Sequence, residues 1–196
     1  CTMTNDDIAP KLKLHKTVVT DNDGQEVSGD WDLTATGTVL GFTDSGDSST
    51  FHNIQAGLNY TLSESGPSGY TASDWSCTKG QISSNALKLE VGDEVTCTIT
   101  NDDIAPKLTV TKVVVNAGGS ENVIEDFPLF VNDTQVVSGE QNTFNVGTYT
   151  VSEDSLTGFT SVISGNCETD GQITLNPGDV KSCAITNTRD TGSLKV

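Results

Sequence analysis

An all-β chain of tandem β-sandwich repeats is predicted by three features of these 196 residues: a long internal repeat, segments of alternating polarity, and turn residues between them. The repeat is the strongest. CTMTNDDIAPKL, Cys1 to Leu12, returns as CTITNDDIAPKL, Cys97 to Leu108, with eleven matches in twelve at an offset of 96. The register then continues. Lys16 matches Lys112, YTLSE at 60–64 matches YTVSE at 149–153, Gly69-Tyr70 matches Gly158-Phe159, and Cys77 matches Cys167. Cys183-Ala184-Ile185-Thr186-Asn187 closes the second copy. A unit of about 85 to 95 residues is the size of one sandwich domain. The expected organisation is residues 1–7 as the last strand of a preceding repeat, 8–103 and 104–190 as two β-sandwich repeats, and 191–196 as the first strand of a following one.

Alternation supplies the strands. Residues 12–16, 60–64, 87–91 and 95–99 alternate with period two, the mark of a half-buried strand, and no segment sustains a helical period. Asn22-Asp23-Gly24, Gly66-Pro67-Ser68-Gly69, Gly92-Asp93 and Pro177-Gly178-Asp179 mark turns. Strands this short and this closely spaced predict antiparallel sandwiches of the immunoglobulin-like or prealbumin-like kind. Ile104-Ala105-Pro106 reads as the linker, stiffened by its proline.

Charge narrows the partners. With 27 Asp and Glu against 10 Lys and Arg, the net charge of -17 repels nucleic-acid phosphates and anionic lipid alike. No stretch is long and apolar enough to span a bilayer. No signal peptide opens the sequence, so any export signal or anchor is expected outside these residues.

The five cysteines sort themselves through the repeat. Cys77 is expected to pair with Cys97 and Cys167 with Cys183, leaving Cys1 as the counterpart of Cys97, its partner in a preceding unit outside these residues. Cystines imply an oxidising, extracellular setting. Closing a loop of about 20 residues stabilises by roughly 3 kcal/mol. A zinc site is not expected, because there is no C-x-x-C and only two histidines, His15 and His52.

Strand alternation also turns charges inward. Leu12, Leu14 and Lys16 share a face, as do Leu108, Val110 and Lys112. The same count puts Glu64 behind Tyr60 and Leu62, Glu153 behind Tyr149 and Val151, Asn101 behind Cys97 and Ile99, and Asn187 behind Cys183 and Ile185. An isolated buried charge costs several kcal/mol, so each Lys, Glu and Asn must meet or lie at a wet end of the sheet. Two outcomes follow from such a meeting. One is an ion pair with the amide bonded to it. The other is an intramolecular isopeptide bond, in which desolvation leaves a neutral lysine amine and a protonated glutamate, and the amine displaces ammonia from the asparagine. Lys16 would attack Asn101 with Glu64 as proton shuttle, and Lys112 would attack Asn187 with Glu153 in that role.

Residues 14–16, YTLSESGPSGY at 60–70 and TCTITN at 96–101 resemble the SpaA-like prealbumin-fold repeats of bacterial surface proteins, relatives of the Cna B-type domains. The resemblance runs over essentially the whole chain. It implies a Greek-key sandwich used as a stalk module in pili, adhesins and giant surface proteins, often with this Lys, Glu and Asn arrangement. The second copy departs from the motif: Asp154-Ser155-Leu156-Thr157-Gly158-Phe159 has no proline and places Phe where the first has Tyr70, which puts its turn in question.

The remaining candidates are weaker. Asp21-Asn22-Asp23-Gly24 has the opening of an EF-hand loop but its glycine at the fourth place rather than the sixth, so a plain turn is expected. Asp102 and Asp103 at the junction are calcium candidates, since calcium would relieve the negative charge. Trp31, Trp75 and Phe51 are scattered rather than grouped into a binding cluster. No external-substrate catalysis is expected, for there is no nucleophile elbow. The chain thus reads as a structural or adhesive segment of an extracellular surface protein or filament, its partners being neighbouring repeats or further copies. The alternative is a ligand- or calcium-binding module of a secreted adhesin.

Overall fold

A computed structural model of the chain describes residue 3 and residues 6–118 and 121–191. Cys1 and residues 192–196, and with them most of the two expected flanking strands, lie outside the described residues. Two compact units arise, the first drawn from residues up to Asp21 and from Gln25–Asp103, the second from Asn22–Gly24 and the residues from Ile104 on.

Among the described residues ten strands form the first unit: β1 (Lys11–Val19), β2 (Asp32–Thr36), β3 (Phe42–Ser45), β4 (His52–Asn53), β5 (Asn59–Ser65), β6 (Tyr70–Ala72), β7 (Ser76–Cys77), β8 (Gln81–Ser83), β9 (Ala86–Lys88) and β10 (Glu94–Asp103). One sheet runs β4-β1-β10, with β6 and β7 both on the far edge of β10, and the other runs β3-β2-β5-β9-β8. Eight strands of the described residues form the second unit: β11 (Lys107–Val115), β12 (Leu129–Val131), β13 (Thr134–Val136), β14 (Gln141–Thr143), β15 (Gly147–Glu153), β16 (Phe159–Gly165), β17 (Gln172–Leu175) and β18 (Val180–Arg189). Its sheets run β14-β11-β18-β16 and β13-β12-β15-β17.

One pairing in each unit departs from the antiparallel expectation. β1 lies parallel to β10, and β11 parallel to β18, each over nine register pairs. Parallel neighbours need a long crossover, and here the crossover is everything else in the unit. The chain therefore enters each sandwich at one pole and leaves at the other.

Alternation builds the core as the sequence predicts. Leu12, Leu14, Leu33, Tyr60, Leu62 and Leu87 are fully buried in the first unit, as are Leu108, Leu175 and Ile185 in the second. Residues 87–91 alternate in burial as far as Leu89, but strand pairing stops at Lys88, ahead of the Gly92 turn that reverses the chain. Ile104-Ala105-Pro106 is not a free linker. The Ile104 carbonyl accepts from Gly178 N at 2.7 Å and the Pro106 carbonyl from Phe144 N at 3.0 Å. Ile8 and Pro10 do the same in the first unit, accepting from Gly92 N at 2.8 Å and Ile54 N at 2.9 Å. Proline lacks a donor yet keeps its acceptor, so the tripeptide is docked as the opening of its own sandwich.

The turn left in question by the second copy is retained. Gly69 and Gly158 both sit at φ 84°, in the left-handed region that glycine enters freely. Proline is dispensable because the glycine dictates the turn. Gly69→Ala and Gly158→Ala should each destabilise their own unit by about 1–2 kcal/mol, read as a lower midpoint in chemical denaturation.

Candidate cross-linking site

Each sandwich holds a lysine where a third core aliphatic would otherwise sit. Lys16 follows Leu12 and Leu14 on the inward face of β1 and is 1% exposed; Lys112 occupies the same place on β11 and is 4% exposed. Neither side chain escapes past the sheet edge. The Lys16 backbone is fixed on both sides, its N–H donating to Gly46 O at 3.0 Å and its carbonyl accepting from Ser28 Oγ at 3.0 Å.

The opposite sheet supplies the anion. β5 carries Glu64 to the Lys16 ammonium, which donates to Oε2, and β15 carries Glu153 to Lys112 in the same way. Asparagine comes from the strand beside the lysine. Val18 faces Asn101 in the parallel register, so Asn101 lies one strand over and two residues beyond Lys16; Val114 faces Asn187 with the same consequence for Lys112. Diagonal neighbours of this kind are within reach of a long side chain. Both asparagines are buried, at 3% and 1% exposed. Their Oδ1 atoms have no hydrogen-bond partner, nor has Glu153 Oε1. An orphan acceptor in a core costs about 1–3 kcal/mol, so three such atoms around two lysines call for an explanation.

Aromatic rings roof both sites. The Lys16 Nζ lies 4.8 Å from the Trp31 ring centroid and the Lys112 Nζ 4.6 Å from that of Phe127. Trp31 is braced edge-on by Tyr70 at 5.2 Å, and Phe127 by Phe159 at 5.1 Å. The two motif positions that follow the glycine turns are thus the braces of the roofs. Gly66 is required on the same account, for a Cβ there would lie 2.4 Å from Trp31 Cδ1. Burial pushes both lysine ammonium groups below their ordinary value, while the hydrogen bond and charge of the facing glutamate pull them back up. Burial wins.

Cys77 is bonded to Cys97, 20 residues apart, and Cys167 to Cys183, 16 apart. Asp102 and Asp103 belong to β10 rather than to a linker, and Asp103 points inward at 4% exposed. With Asp21 they bring three carboxylates within 4.8 Å of one another, and the negative charge of Asp102 raises the Asp21 carboxyl above its ordinary value. Three oxygens are about half of the roughly six to eight that calcium takes. Trp31 and Trp75 are core residues, and Phe51 is 37% exposed with Lys13 over its ring. Sequence reasoning had found the Lys, Glu and Asn sets but not Trp31 and Phe127 as their covers. The signal was present, since these two lie at the same offset of 96 as the lysines.

A family described as the prealbumin-like fold domain, of the SpaA type, matches residues 7–99 and 103–185. No protein of curated function matches the chain. Among solved structures, the Bacillus anthracis TIE protein is similar at 15% identity over 94% of this chain and 34% of that one, with a TM-score of 0.51. The chain therefore spans about a third of that protein, and the likeness is one of fold. The T-13 major pilin of Streptococcus pyogenes is 13% identical over 96% of this chain and 98% of that one, TM-score 0.37. A C-terminal fragment of the pilus adhesin SpaC from Lactobacillus rhamnosus GG is 13% identical over 96% and 100%, TM-score 0.42.

The depressed lysine has a signature that is read most simply in Asn101→Ala, which has no asparagine beside the lysine. Below the folded-state value Lys16 is charged in both states, and burial penalises the fold. Between that value and the ordinary 10.5 only the unfolded chain holds the proton, so stability must rise with pH across this window and level off at 10.5. Urea denaturation from neutral pH upward should show the rise for the first unit of Asn101→Ala, and its absence when Lys16→Met is added.

Proposed function

The chain belongs to the SpaA-type prealbumin-like fold domain family, and from that premise we propose that it is a structural stalk segment of an extracellular bacterial surface filament or adhesin, each unit sealed by an autocatalytic Lys–Asn amide. One observation carries this: in both sandwiches a buried lysine meets a glutamate beside an asparagine whose carbonyl oxygen has no partner.

The chemistry balances from these residues alone. The Lys16 ammonium gives a proton to the Glu64 carboxylate it already touches, and its freed lone pair attacks Asn101 Cγ. A further proton passes from the attacking nitrogen through the carboxyl to Nδ2, the Cγ–Nδ2 bond breaks, and ammonia departs. An ion pair and an amide become a secondary amide, ammonia and a neutral carboxylic acid. That acid then has a proton to donate to the orphan Oδ1. Lys112, Glu153 and Asn187 follow the same steps. Burial supports the attack by favouring the neutral amine, and the aromatic roof supports it by excluding water.

The location of the bond supports the stalk role. It would join the first strand of each unit to the last, the two through which a tandem chain is pulled. The cystines support an oxidising compartment outside the cell. Similarity to pilin and adhesin structures points the same way only at the level of fold. Neighbouring repeats and further copies of the protein are the partners of such a segment.

Intact mass under reducing conditions tests the proposal. The chain should weigh two ammonia molecules less than its sequence sum. Glu64→Gln should restore one of them and leave the amide of the second unit in place, and Glu153→Gln the reverse. A mass equal to the plain sum means an ion pair and no cross-link.

A further inference from the structure

We infer that in each unit the cystine is a positioning clamp that acts before the amide, holding the asparagine strand in register while the lysine reacts. This rests on the cross-link proposed above.

Topology gives the first reason. An amide from Lys16 to Asn101 would enclose residues 17–100, and Cys77–Cys97 lies wholly inside that loop. An amide from Lys112 to Asn187 would enclose Cys167–Cys183 likewise. Tension applied through the chain ends would run along β1 to Lys16, across the amide and out through the end of β10. It never reaches the cystine. Once the amide exists the sulfurs bear no pull, so their contribution belongs to an earlier stage.

Placement gives the second. Cys97, Ile99 and Asn101 are consecutive inward residues of β10, and Cys183, Ile185 and Asn187 of β18, so the cystine grips the reacting strand four residues before its asparagine in both units. On one side β10 is held by β1, which carries the lysine. On the other it is held by β6 and β7, of three and two residues. Cys77 is the register partner of Cys97 in that two-residue strand, so the covalent bond replaces ladder that is missing. β18 is better served, with seven residues of β16 against it and Gly165 opposite Cys183.

The unreacted site gives the third. It buries an ion pair beside orphan oxygens, which weakens the very strand pair that must stay aligned for attack. A cystine that shortens the unfolded loop offsets this before the amide forms. Joining the thiols releases two electrons and two protons to an external disulfide oxidant, which is reduced to thiols.

The order of bonds in the wild-type chain decides the matter. Chain that has never folded, made by chemical synthesis or recovered reduced from inclusion bodies in denaturant and shown by mass to retain both ammonia molecules, is refolded with oxidised and reduced glutathione, quenched at intervals by acid and thiol alkylation, and mapped by mass for each unit. A cystine-bearing species that still holds its ammonia should accumulate first. Refolding in dithiothreitol, or as C77A/C97A, should slow ammonia loss from the first unit by about ten-fold or more, with a smaller effect of dithiothreitol on the second. In C77A/C97A the second unit should react at the wild-type rate. Matured protein pulled from its ends should show one extension before and after dithiothreitol, with reduction verified by alkylation. Early molecules of the first unit with an amide and free thiols, equal rates without the cystine, or an extension that lengthens on reduction would each overturn the inference while leaving the cross-link intact. A fully oxidised, folded chain that never loses ammonia overturns the cross-link itself, and the clamp with it.

Discussion

A lysine ammonium enclosed between two sheets costs several kcal/mol unless an anion meets it at close range, and both units are arranged around that requirement. The lysine strand must sit beside the asparagine strand, and the glutamate must arrive from the facing sheet at the same depth. Those conditions require β1 beside β10 and β11 beside β18, in a register that places Lys and Asn diagonally. They fix the aromatic cover as well. Trp31 and Phe127 lie over the amines, and a smaller residue there would let water reach the pair.

Parallel pairing of the terminal strands has a mechanical consequence. When such a unit is drawn out by its ends, β1 and β10 are pulled in opposite directions along their length, so their ladder is loaded in shear across all nine register pairs at once. A hydrogen-bonded ladder resists this only until its bonds fail together. A covalent link between the same two strands removes that limit. The acidic surface adds a reason for it, since a net charge of -17 on 196 residues favours expanded states over compact ones.

Most of this was legible in the sequence, for a physical reason. Period-two alternation is a local property, so Lys16, Glu64 and Asn101 could be turned inward one strand at a time, and the second copy repeated each assignment. What the sequence hid was non-local. The parallel direction of β1 and β10 depends on where the crossover ends, which no local pattern records. The strands β6 and β7 are too short to alternate, and the adjacent acids Asp102 and Asp103 at the end of the first repeat read as a calcium junction rather than as the end of β10. The aromatic roofs belong to no motif. Trp31 and Phe127 share no residue type, yet they stand at the offset of the lysines.

The drift of that offset carries the last step. It is 96 between Lys16 and Lys112, 89 between Glu64 and Glu153, and 86 between Asn101 and Asn187. The second copy is shorter by a net ten residues between its lysine and its asparagine, in the stretches between the three strands that carry the trio. The second unit dispenses with the separate β7 and with the β8 hairpin, exchanges Tyr for Phe in the brace, and drops the turn proline. Its lysine nonetheless donates to its glutamate, and its asparagine is buried with the same unpartnered oxygen. A sandwich that tolerates such change while keeping the polar trio holds that trio by geometry set on three long strands. Loops of any length will serve, provided β11, β15 and β18 keep their depth and register.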